Sequence, residues 1–188
     1  MRLSLQGKWF LGLAALLGGL LGVVALTIYA TLPGYLHGRI RDDLGRMVRL
    51  AGENLDQARS QGTDLQALAT RLGRETGLRV TFIAPDGVVL GESDVRHTEL
   101  SRVENHLNRP EVQQALREGL GYDTRRSVTV DTELLYAAVP RADRSVARVA
   151  MSLARVHATT GRVTRTVAWA SLCVTLLALP VVYLLSRR

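Results

Sequence analysis

Cysteine occurs once, at Cys173 inside an uncharged run, so residues 33–162 contain no disulfide and no thiol for metal binding or nucleophilic catalysis. Lysine is almost as scarce: Lys8 stands alone among 24 basic residues, and the rest are arginines scattered between Asp and Glu. A pI near 10.4 would suit a nucleic-acid binder, but there is no dense basic run and no aromatic stacking motif, which excludes that partner class. Also missing are a serine in a nucleophile elbow, an identifiable carboxylate pair and a glycine-rich phosphate loop after a strand. Catalysis and a bound cofactor are therefore not expected of this chain. His97, His106, Glu99 and Glu104 lack any ligand spacing, so no metal site is expected either.

What is present in quantity is apolar sequence at both ends. Residues 9–32 carry no charge and are rich in Leu, Ala, Val and Gly, and the stretch from Val167 to Leu185 has the same character. At about 1.5 Å of helix per residue, each can cross a hydrocarbon layer about 30 Å thick. Trp9, Tyr29, Trp169 and Tyr183 lie near their ends, where amphipathic rings favour the headgroup layer. A cleaved leader ending near Ala30 is the competing reading of the first run. Its length, the missing small-x-small pair and the second run argue against that. Arg2, Lys8, Arg187 and Arg188 flank the spans without an acidic residue, which favours both termini inside and the middle segment outside. The expected plan is a cytoplasmic N-terminus at 1–8, a spanning helix at 9–32, an extracytoplasmic domain at 33–162, a second span at 163–186, and a cytoplasmic linker beginning at 187–188.

The middle segment is soluble-domain sequence. After a break at Pro33-Gly34, apolar residues recur at threes and fours through Leu36, Ile40, Leu44, Met47, Val48, Ala51, Leu55 and Ala58, predicting a long amphipathic helix. Thr63 with Gln66 reads as a capping box opening a second helix that Gly77 closes. In GLRVTFIAPDGVVLGES, alternation points Leu78, Val80 and Phe82 at a core and Arg79 and Thr81 at water, with a turn at Pro85-Asp86-Gly87. A polar loop from Asp94 to Asn108 with one helical turn comes next, then a short helix from Pro110 to Gly119 with Glu111 at its positive end. Strands are predicted at about 123–130, 133–139 and 145–153, and a helix from Ala154 runs into the second span. The fold class is α+β: a PAS-like antiparallel five-stranded sheet with flanking helices, carried between two transmembrane helices.

In order and spacing, RVTFIAPDGVVLGES, ENHLNRPEVQQAL at 104–116, LLYAAVP at 134–140 and RVAMSL at 148–153 resemble the extracytoplasmic sensor region of bacterial sensor histidine kinases of the phosphate-regulon sensor kinase group. Asp86, Gly87, Asn105, His106, Arg109, Pro110, Glu111, Tyr136 and Pro140 hold the matching positions over roughly residues 35–188. The resemblance implies an input module of a two-component system in the bacterial inner membrane, with a periplasmic domain, a homodimer, and a HAMP linker and kinase beyond Arg188. The phosphoacceptor and ATP-lid motifs are not in this chain, so it is not itself expected to be an enzyme. The alternatives are a small membrane-anchored adaptor subunit, or the sensor region of a chemoreceptor or cyclic-dinucleotide enzyme.

For a ligand, Arg125 and Arg126 with Tyr122 and Tyr136 are the candidates, because guanidinium forks match planar oxyanions. Adjacent strand residues point to opposite faces, so one arginine faces a helix-covered side and the other faces out. The competing arrangement leaves both arginines solvated or paired to Asp123 and Glu133 across the hairpin. Asn105, His106 and Arg109 form a second candidate group, against the plainer role of bracing the loop before Pro110. The partners expected are membrane lipid, a second copy of the chain, and either a small anionic ligand or a membrane or periplasmic protein.

Overall fold

A computed structural model describes residues 5–127, 132–154, 165–174, 176 and 180. It divides into two compact units, residues 38–155 and the two chain ends. In the first unit, α2 (Leu65–Thr76) precedes β1 (Arg79–Ile83) and β2 (Val89–Glu92). A short 3-10 helix at His97–Arg102 and α3 (Pro110–Glu118) lead to β3 (Gly121–Ser127), β4 (Thr132–Pro140) and β5 (Val146–Ser152). The strands are antiparallel neighbours in the order β2-β1-β5-β4-β3. A five-stranded antiparallel sheet in that order, with helices inserted between the second and third strands, is the PAS-like plan expected from the sequence.

The long helix α1 runs from Leu5 to Ser60 without interruption, so the break expected at Pro33-Gly34 does not occur. A proline inside a helix removes one backbone bond, and neighbouring turns hold the helix together across that gap. Thr27 and Thr31 donate their hydroxyls back to the carbonyls of Val23 at 2.8 Å and Thr27 at 2.7 Å, so neither is left unpaired within the apolar run. From Leu16 onward α1 is long and apolar enough to cross a membrane. Of the second expected span, residues 165–174 are helical; most of the rest, and the expected helix over 155–164, lie outside the described residues.

The C-terminal part of α1 buries Leu44, Val48, Ala51, Leu55 and Ala58, a stripe spaced by fours and threes. The register puts Val80 and Phe82 of β1, Leu135, Ala137 and Val139 of β4, and Ala147 and Val149 of β5 on one sheet face, all buried. This is the face that α1 and α2 cover. Asp64, not Thr63, caps α2 by accepting from the Gln66 amide at 2.9 Å. The expected capping box is replaced because the Gln66 side chain has other work. Its Nε2 donates to the Glu92 carbonyl at 2.9 Å and its Oε1 accepts from the Glu92 amide at 2.8 Å, continuing the ladder at the β2 edge.

Thr81 is 1% exposed, which corrects the expectation that it faces water. The reason is that the opposite face of the sheet is covered too. Its apolar end packs Ile83, Ala138 and Val146 under Val112 and Ala115 of α3.

Candidate functional site

Beside that apolar patch, the α3 face of the sheet becomes ionic. Strand alternation brings Arg79 and Thr81 of β1, Arg148 of β5, Tyr136 of β4, and Asp123 and Arg125 of β3 to this side. α3 adds the opposing charge. Pro110 starts the helix, and Glu111, Val112 and Ala115 share its inward face, all fully buried.

Gly121 allows the close approach that this requires. A Cβ there would collide with the Glu111 carbonyl oxygen and lie 2.6 Å from the Ala115 amide nitrogen, so α3 rests directly on the start of β3. The Gln114 side chain fixes the same junction by accepting from the Tyr122 amide at 2.9 Å.

The Glu111 carboxylate is the hub of the cluster. Arg125 grips it with both ends of its fork, Nη1 to Oε2 at 2.9 Å and Nη2 to Oε1 at 3.0 Å. Arg148, 2% exposed, donates from Nη1 to Oε1 at 3.2 Å and from Nη2 to Thr81 Oγ1 at 3.1 Å. Arg125 Nη1 also reaches Asp123 Oδ2 at 2.9 Å. Tyr136 stacks beneath, its ring centroid 4.0 Å from the Arg125 guanidinium carbon and 5.3 Å from that of Arg148. At the margin, Arg79 pairs with the buried Glu92 carboxylate.

Burial alone would raise the Glu111 pKa, yet the Arg125 hydrogen bonds and the Arg148 charge hold it below its ordinary value. Arg148 is pushed down to about 10, chiefly by burial. His106, 5% exposed, falls to about 4 because burial and the nearby Arg148 and Arg109 charges disfavour its protonated form. Among the described residues, Arg148 Nε, His106 Nδ1 and Glu92 Oε2 are buried without a hydrogen-bond partner.

The structure separates the sequence candidates. Arg125 and Tyr136 meet in the cluster, while Arg126 is exposed on the opposite side of β3, as adjacent strand positions require. Arg125 does pair with Asp123, but its main partner is Glu111. Tyr122 also leaves the cluster; its hydroxyl donates to the Arg41 carbonyl on α1 at 3.2 Å. Asn105 braces the loop, donating to the Asp86 carbonyl at 2.8 Å and accepting from the Leu107 amide at 2.9 Å. Arg109 pairs with Glu104 at 3.0 Å near the surface.

Sequence reasoning missed Arg148, Thr81 and the hub role of Glu111. For Arg148 a signal existed, since an arginine inside the otherwise apolar run VARVAM faces a covered surface.

No family model matches the chain, and no curated protein does, so the phosphate-regulon group has no support from either. Among solved structures, a match is the sensor domain of DcuS from E. coli, 15% identical with a TM-score of 0.42, covering 62% of this chain and 94% of that one.

Proposed function

We propose that this chain is the input module of a transmembrane sensor, anchored in the bacterial inner membrane with its PAS-like domain outside and both termini in the cytoplasm. The observation that carries the reading is α1 itself. One helix begins in a bilayer-length apolar run and ends with Leu44, Val48, Ala51, Leu55 and Ala58 in the core of the sheet. A stimulus that changes the packing of the domain therefore acts on a helix that reaches the membrane.

In this reading the module works as a homodimer, and the output is a histidine kinase joined beyond Arg188. The stimulus biases two arrangements of the packed helices, which requires that it bind them with different affinity. The stripe that packs on the sheet leaves Met47 and Leu50 exposed at 43% and 52%, and these would face the partner's α1.

Two experiments test this. Single cysteines along 36–55 in a Cys173→Ser background should cross-link most at 47 and 50; cross-linking without helical periodicity rejects the dimer. Labelling with an impermeant thiol reagent should reach a cysteine at exposed Arg126 from outside the cell, and labelling only after lysis rejects the orientation.

A further inference from the structure

We infer that the space between α3 and the sheet is a carboxylate-binding cradle, built by Arg125, Arg148, Thr81 and Tyr136, whose occupant is the chain's own Glu111. α3 is thus held down by a tethered ligand.

The geometry is that of recognition. A planar oxyanion lies in a bidentate arginine fork at 2.9 and 3.0 Å, takes a third bond from a second arginine at 3.2 Å, and sits by an aromatic ring under the fork. A salt bridge serving only to fix a helix would need one partner. Here two arginines from different strands converge on one carboxylate, and Arg148 Nε and the neutral His106 Nδ1 keep capacity for a further polar atom.

The tether explains why a free carboxylate would not displace Glu111 easily. An attached ligand competes at a high effective concentration, so a solution competitor must match that before it binds. Displacement would free α3 from the charged end of the sheet, leaving Val112 and Ala115 as its hold on the apolar end. The inference concerns the domain alone and does not depend on the membrane orientation or the kinase output.

The test is chemical rescue in the full-length protein in detergent, with sodium formate or acetate compared with sodium chloride at equal ionic strength. In Glu111→Ala, formate should raise the thermal midpoint saturably and restore amide protection across α3, with a smaller response to acetate and none to chloride. Wild type and Glu111→Gln should not respond, because the carboxylate or its isostere fills the space. Glu111→Ala/Arg125→Ala should lose the rescue. Should Glu111→Ala fail to fold in chloride, recovery of folded protein in formate is the same result. A Glu111→Ala protein that ignores both carboxylates overturns the inference, as does an equal formate response in Glu111→Gln, which would put the anion elsewhere.

Discussion

The two faces of the sheet are made from the same five strands and are both buried, yet they are held in different ways. The face under α1 and α2 is apolar throughout its centre, with Val80, Phe82, Leu135, Ala137, Val139, Ala147 and Val149 out of water. The face under α3 is split between a small apolar patch and an ion cluster in which Glu111 and Glu92 are fully buried. Apolar burial stabilises without regard to direction, and each added contact helps. Buried ions stabilise little in net terms, because desolvation offsets their attraction, and they are sensitive to the loss of any one member. The first face is suited to a permanent joint and the second to one whose state can change.

The largest effects come from truncating the centre of each face. Phe82→Ala, which empties a site of 0% exposure, should cost about 3–5 kcal/mol. Glu111→Ala should cost about as much, 3–5 kcal/mol, because it strands Arg148 in the interior. What separates them is reversibility. Replacing Glu111 and its two arginines together, with Glu111→Leu, Arg125→Met and Arg148→Leu, should recover most of the loss, as measured by urea unfolding, while no partner substitution restores Phe82→Ala. If the triple variant is no better than Glu111→Ala, the ionic face contributes more net stability than this comparison allows.

Acid should act on the α3 face next. His106 has its pKa lowered from 6.5 to about 4, so between those values the unfolded chain takes up a proton that the folded chain refuses. Stability therefore falls as pH drops through that window, by roughly 2 kcal/mol between pH 7 and 4.5. Glu111, also lowered, contributes stability that is present above its unfolded value near 4.5 and is lost below it as pH falls through the folded pKa. Urea midpoints across pH 7 to 4.5 should decline in wild type and stay flatter in His106→Leu; equal slopes would remove His106 from the account.

How much of this was legible in the sequence follows the same division. The apolar face was readable because period-two and threes-and-fours patterns signal burial directly, which placed the five strands and the stripe from Leu44 to Ala58. The ionic face was not, because a buried charge looks like a solvated one until its partner is known. Arg79 and Thr81 alternate with Val80 and Phe82 as if they faced water, and Glu111 looks like an ordinary acidic residue in a first helical turn. Their partners lie 13 to 67 positions away, from Arg79 to Glu92 and from Thr81 to Arg148, a range at which local pattern carries no information. The chain through Pro33 failed for another reason: proline is a strong stop signal in a soluble helix, and α1 continues into an apolar run.

Each face also has a strand glycine that lets a helix sit close, and these should give intermediate effects with different locations. A Cβ at Gly121 would strike the backbone of α3, and one at Gly91 would lie 2.5 Å from the Leu65 carbonyl oxygen at the start of α2. Either change to Ala overpacks against backbone, which should cost about 1–3 kcal/mol. Amide exchange separates them: Gly121→Ala should loosen α3 and leave α2 protected, and Gly91→Ala should do the reverse. If both loosen both helices, the two faces are one cooperative unit.

The smallest effect tests whether charge as such matters or only buried charge. Arg141 Nε donates to Asp56 Oδ2 at 2.9 Å, joining α1 to the residue after β4 at the rim of the apolar face, and this hydrogen bond first, with the Arg141 charge, lowers the Asp56 pKa. The pair lies at the surface, with Asp56 about half exposed and Arg141 partly so, and solvent therefore screens the attraction; Asp56→Asn should cost less than about 1 kcal/mol, with the difference shrinking in high salt. The sensitivity of the α3 face would then belong to burial, since a guanidinium–carboxylate pair at the rim is nearly dispensable while the one beneath α3 is not. A loss at Asp56 comparable to that at Glu111 would mean that the α1 joint also depends on its ions, and the distinction between a permanent face and a changeable one would fail.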